Sequence, residues 1–285
     1  MKQSILNLSL VIFIVQLSAC STTKKSEADR FKDMRSGLVY KTYQKASIKA
    51  MKPVARKYNK KLVKENKAQS GEAQIHALLS LIWMGSTKFK YALAESEYAV
   101  KAANNPEDRY AALTIHSLTM HGLGWHQLAK QQSIEAGVLV KSNDFSNRYN
   151  NMLVLVHVVG SALALQEGNI PYIASEVRDL GVLTKRDWLV QLGDATLDVY
   201  SGANAKAISR LEKLKSNPDL SAAERKGVAS VSKAVEAGGK DASKAVAKAV
   251  VLVALDVGIK SSPLTPVVLE KLPEKYRDKL TKKYL

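Results

Sequence analysis

A chain of 285 residues with 46% hydrophobic composition holds enough apolar material for a folded body, as one or two compact domains or one elongated array. Its 43 Lys and Arg against 26 Asp and Glu leave a net charge of +17, which suits contact with anionic surfaces. The single cysteine excludes an internal disulfide framework.

Lys2 gives a short positive start, residues 5–15 are apolar apart from Asn7 and Ser9, and Leu17, Ser18, Ala19 and Cys20 follow. The layout is that of a secretory signal, and the apolar run falls short of the roughly 20 residues a membrane span needs. Cys20, placed just after small residues, resembles the lipid-attachment cysteine of bacterial lipoproteins. The resemblance implies that residues 1–19 are a lipoprotein signal peptide, and that Cys20 is acylated on sulfur and becomes the mature N-terminus. Several acyl chains then hold the protein at a membrane, each buried methylene contributing about 0.8 kcal/mol. An ordinary signal peptide, or a free thiol in a flexible leader, is the plainer reading. Ser21 in place of aspartate resembles outer-membrane sorting in enterobacterial lipoproteins, which implies a lipid-anchored protein on the periplasmic face. Only Lys2 among the charged residues precedes Cys20, so the basic balance belongs to the mature chain. Residues 20–35 then read as lipid anchor and polar tether.

A basic N-terminal helical region follows over 36–68. Ile48, Met51, Ala55, Tyr58 and Leu62 recur every three or four residues and mark an apolar helix face. Lys45, Lys49, Lys52, Arg56 and Lys60 make a parallel basic stripe, and Pro53 kinks this helix or starts another. Between Ser36 and Lys64 there are nine basic residues and no acidic one. Like charges four apart repel by a few tenths of a kcal/mol per pair, so the stripe is either a solvated face or a surface for anionic lipid head groups or peptidoglycan. An exported chain without a nucleic-acid motif is not expected to bind nucleic acid.

Helical hairpins are predicted over 69–260. The first pairs Ala77, Leu78, Leu81 and Ile82 with Phe89, Ala92, Ser96 and Ala99 across a turn over Gly85, Ser86 and Thr87. The second runs from Tyr110 to Val140 with a break at Gly122 and Gly124, and the third turns at Gly168 and Asn169 with Pro171 in the first turn of its return helix. The fourth occupies 192–218, and the fifth opens at Ser221 with Glu224 three residues on, a capping-box pattern. The turn glycines Gly85, Gly124, Gly168, Gly202 and Gly239 lie 39, 44, 34 and 37 residues apart, intervals that suit two-helix repeats. The order Leu192, Gly193, Gly202, Ala207, Leu211, Leu214, Pro218 resembles the tetratricopeptide repeat, and Gly85, Phe89, Ala92, Ala99, Pro106 resembles its second half. The resemblance implies an all-α, TPR-like right-handed α-α superhelix with irregular repeats, and a protein-binding surface; an irregular helical bundle is the alternative. Residues 245–255 are apolar apart from Lys248 and read as a buried terminal helix, and 261–285 as a C-terminal capping helix.

Catalytic signals are absent: no Gly-x-Ser-x-Gly elbow, phosphate loop or dinucleotide fingerprint occurs, so no catalytic residue and no cofactor is assigned. His76, His116, His121, His126 and His157 follow no metal-ligand spacing, so no metal site is assigned, and Glu95, Glu97, Glu135, Glu167 and Glu176 are expected mostly on solvated helix faces. Trp83, Tyr91, Trp125, Tyr149, Tyr172, Trp188 and Tyr200 lie in or beside the turns and are the candidates for burial against a partner, with inter-repeat packing as the competing role. The expectation is a non-enzymatic scaffold or adaptor that positions another cell-envelope protein in assembly, secretion, pilus biogenesis, polysaccharide export or cell-wall enzyme regulation. The competing expectation is a protein that binds peptidoglycan or another anionic glycan, including a cell-wall lytic enzyme.

Overall fold

The computed structural model describes residues 25–65, 67, 69–142, 147–218, 220–238 and 242–261. The described residues are all-α, with twelve helices and no strand. Cys20 and its signal, and the proposed capping helix over 261–285 beyond Ser261, lie outside them.

Two compact units divide between Val156 and His157. The first opens with α1 (Glu27–Ser36) and α2 (Leu38–Lys64). Helix α1 falls within the stretch read as a tether, because Ser26 caps Asp29 N–H and starts a helix in polar sequence. Helix α2 continues through Pro53, burying Tyr40, Ala55 and Leu62 along one face. Next come α3 (Gly71–Gly85) and α4 (Phe89–Ala102), then α5 (Pro106–Gly122) and α6 (His126–Ser142). Asn105 caps α5, with Pro106 in its first turn, where the missing N–H costs nothing. Helix α2 packs on α3 and α4, and α1 reaches α6, where Glu27 accepts hydrogen bonds from Gln127 N–H (2.8 Å) and Leu128 N–H (3.1 Å) at the helix N-terminus. Gly71 lets α3 cross α2, since a Cβ there would stand 2.7 Å from Asn59 Oδ1 and 3.1 Å from the Ala55 carbonyl.

Helix α7 (Asn147–Glu167) contains the division between the units. The second unit holds α8 (Ile170–Leu183), α9 (Asp187–Tyr200), α10 (Asn204–Lys215), α11 (Ala222–Glu236) and α12 (Ala242–Ser261), with α12 packed on α8, α9 and α11. Ser221 and Glu224 form the capping box that opens α11.

A shared turn organises the hairpins. At Thr87, Gly124, Gly168 and Gly202 the backbone takes positive φ, and the next residue's N–H bonds to the carbonyl five residues back: Lys88 to Trp83, Trp125 to Met120, Asn169 to Ala164 and Ala203 to Asp198. Lys185 closes the α8–α9 connection in the same way, through Arg186 N–H and the Gly181 carbonyl. The left-handed residue of the first turn is therefore Thr87, and Gly85 is the last helical residue before it.

Counted from these turn residues, four hairpins share one register. Seven positions before lie Ser80, Ser117, Ser161 and Ala195, and five positions after lie Ala92, Ala129, Ile173 and Ala207; all eight are 0% exposed. Small residues in most of these places let the paired helices approach closely. Ser80 and Ser117 each donate a hydroxyl hydrogen bond to the facing carbonyl, Ala92 at 2.8 Å and Ala129 at 2.7 Å. Gly193, singled out in the sequence, serves a different contact: a Cβ there would lie 2.5 Å from Arg178 Cγ and 2.7 Å from the Ala174 carbonyl on α8.

Candidate functional site

Helix α4 carries Glu95, Ser96 and Glu97 into the interior of the first unit, and each meets a partner from another helix. Glu95 accepts hydrogen bonds from the Tyr43 and Ser47 hydroxyls of α2 and pairs with His76 Nδ1 of α3 at 2.5 Å. Trp83 Nε1 donates to the Tyr43 hydroxyl at 2.6 Å, extending the network to the surface. Glu97 accepts from Tyr40 and from Lys101, and pairs with Arg35 at 2.8 Å. Burial alone would raise both carboxyl pKa values; the surrounding donors and cations outweigh it and hold them below the ordinary range. Burial, with hydrogen bonding to the carboxylates, pushes the Tyr40 and Tyr43 hydroxyls up. Ser96 pairs with His116 Nδ1 at 2.8 Å, and complete burial lowers the His116 pKa to about 4.

Beside Glu95 the aromatic rings gather. Tyr43 lies 4.5 Å from Tyr91 and Tyr91 lies 5.4 Å from Trp83 between ring centroids, while Lys88 Nζ sits 5.2 Å over the Trp83 ring. This half-buried group combines two of the aromatic candidates with Tyr43. Trp125 is buried against Phe31 of α1, and Tyr172 and Trp188 are buried in the second unit, whereas Tyr200 is exposed. Tyr149 lies on α7 among residues whose side chains are outside the description. Lys45, Lys49, Lys52, Arg56 and Lys60 are all exposed on α2. Leu38 and Val63, 81% and 74% exposed, lie on the same helical face at either end of that stripe.

The acidic and histidine side chains depart most from expectation. Glu95, Glu97 and Glu176 are buried, as are all five histidines. His121 and His126, five apart, meet across the α5–α6 turn with their Nδ1 atoms 2.9 Å apart. In the second unit His157 Nδ1 lies 2.8 Å from Glu176 Oε2, and Asp179 completes a compact three-residue group. A sequence signal for the two histidine–glutamate pairs exists: each pair is nineteen residues apart, and Glu95 and Glu176 fall at matched places after their turns. Arg210 of α10 reaches Asp194 and Asp198 of α9, and Lys206 also pairs with Asp198 at 2.9 Å; these cations outweigh burial and lower the Asp198 pKa.

Comparison with known protein families, with curated proteins and with solved structures finds no match.

Proposed function

We propose that this chain is a lipoprotein of the bacterial outer membrane, anchored through Cys20 on the periplasmic face, whose hairpins form a degenerate TPR-like right-handed superhelix that binds and positions another envelope protein. It acts by binding and not by catalysis. The observation that supports this reading best is the common register of four hairpins about their turn residues, with the same two buried positions twelve residues apart in each. Repeated hairpins of this kind build extended surfaces, and such surfaces serve recognition. The exposed apolar pairs Leu78 with Ile82 on α3 and Ile134 with Val138 on α6 are the side chains such a partner would cover.

Affinity capture from crosslinked envelopes tests the proposal. A specific envelope protein should be recovered, and recovery should fall when Ile134 and Val138 are both replaced by aspartate while helicity by circular dichroism is retained. Recovery of no protein above controls overturns the reading. Membrane fractionation of Cys20→Ala should show release from the membrane, and unchanged retention refutes the anchor.

A second reading rests on the exposed α2 stripe: binding to peptidoglycan or another anionic glycan, through Lys45, Lys49, Lys52, Arg56 and Lys60. It predicts co-sedimentation with purified sacculi that weakens with added salt.

A further inference from the structure

The histidine–carboxylate pair of the first unit recurs in the second with different neighbours. An offset of 81 residues carries the turn residue Thr87 to Gly168, His76 to His157 and Glu95 to Glu176, so both pairs occupy matched places on their hairpins. In the first unit the group is closed: Tyr43 and Ser47 donate to Glu95, and the Tyr98 ring packs edge-on against His76 at 4.6 Å. In the second unit the same offset replaces Tyr98 by Asp179, a second carboxylate. Glu176 is 1% exposed, yet its Oε1 has no hydrogen-bond partner.

A carboxylate buried this deeply with one oxygen unmatched is unfavourable. The neighbouring cation Arg178 is drawn to Asp194 of α9, 3.2 Å away. One ring nitrogen of His157 and one oxygen each from Glu176 and Asp179 lie within 4.8 Å of one another. A cation placed among them reaches all three after small side-chain adjustments. It supplies the missing partner of Glu176 Oε1.

We propose that His157, Glu176 and Asp179 form a binding site for one divalent transition-metal ion, with zinc as the best-suited ion. One imidazole with two carboxylates favours zinc over magnesium and calcium, which prefer shells made of oxygen alone. Three protein ligands leave a further coordination position for water or for an anionic group of a ligand. The ion ties α7 to α8 at the point where the first unit uses hydroxyl donors from α2.

Zinc titration of the metal-stripped full chain by calorimetry, with cobalt as a spectroscopic stand-in, tests the site. One zinc ion per chain should bind, and cobalt should give visible absorption bands of a low-coordinate site. Glu176→Gln and Asp179→Asn should each weaken zinc binding by at least about tenfold, the scale on which even supporting residues of metal sites act, and erase the cobalt bands. Far-UV circular dichroism of both variants should match the parent. His126→Asn, which removes one nitrogen of the other histidine group, should leave binding unchanged. Absence of saturable zinc binding, binding that survives both carboxylate substitutions, or binding lost only in His126→Asn overturns the proposal.

Discussion

Replacing Glu95 by alanine removes the acceptor on which three side chains from two other helices converge. Glu95 is 1% exposed, and its carboxylate takes the Tyr43 and Ser47 hydroxyls of α2 and His76 Nδ1 of α3. A buried polar group left without its partner costs about 1–3 kcal/mol. His76, itself buried, bears that cost in full; Tyr43 still accepts from the Trp83 indole N–H but its own hydroxyl proton loses its acceptor, and both it and Ser47 are half-buried and turn to water. The sum is about 2–4 kcal/mol, most of it from His76 with a smaller share from the two hydroxyls that lose their acceptor. Glutamine keeps the shape and one acceptor oxygen for the two hydroxyls, and presents its amide to His76. Its loss is confined to charge assistance, about 1–2 kcal/mol. Urea unfolding of the lipid-free chain, followed by circular dichroism and tryptophan fluorescence, measures both variants. Hydrogen exchange localises the effect, because α2 loses two anchors and its amides should exchange faster than those of α8 or α9. The reasoning fails if Glu95→Ala lies within about 0.5 kcal/mol of the parent, the range of surface substitutions, or if Glu95→Gln is as damaging as alanine.

His116 makes the first unit acid-sensitive: the unfolded chain takes up its proton near 6.5, the native chain only near 4, so stability present above pH 6.5 is lost as pH falls toward 4. The full loss is about 3 kcal/mol, and His116→Gln should flatten the slope of stability against pH across that window. The turn residues should respond with opposite signs in thermal unfolding. Gly202→Ala, at φ +83° with open space around it, should destabilise by about 1 kcal/mol, whereas Thr87→Gly, at φ 57°, should stabilise by roughly 0.5–1 kcal/mol. Gly71→Ala should cost about 1–3 kcal/mol by forcing α3 away from Asn59 and the Ala55 carbonyl, and a stability equal to the parent's would refute that contact. Exchanging Lys45, Lys49, Lys52, Arg56 and Lys60 for glutamine should not destabilise the fold and should stabilise it by up to about 1 kcal/mol, because all five are exposed and the exchange relieves repulsion along a like-charged row. The same variant should lose salt-sensitive co-sedimentation with sacculi if the stripe contacts an anionic glycan.

The helical hairpins were legible because apolar spacing, proline and capping residues act over three to five residues of chain. Ser221 with Glu224, and Pro106 and Pro171 in first turns, each announce a helix start through interactions confined to that turn. The first turn falls over the Gly85 to Thr87 stretch read from the sequence, but its left-handed residue is Thr87 and not the glycine. Tertiary packing sustains a conformation that threonine's own preferences oppose, and the same holds for Lys185. Helix α1 was hidden for a related reason: its sequence is polar, and its place depends on contacts with α2 and with the start of α6.

Sequence alone determined the all-α class, the order of the hairpins and the face of α2 that carries Lys45 to Lys60, since each is a pattern within one short segment. Only the tertiary structure decided that Glu95, Glu97 and Glu176 are buried, that α1 and α2 cover aromatic residues of the first unit, and that His157, Glu176 and Asp179 converge. A glutamate on a helix reads as solvated until a neighbour supplies donors. Those donors come from Tyr43, Ser47 and His76 for Glu95, segments 19 to 52 residues away that nothing in the local pattern connects.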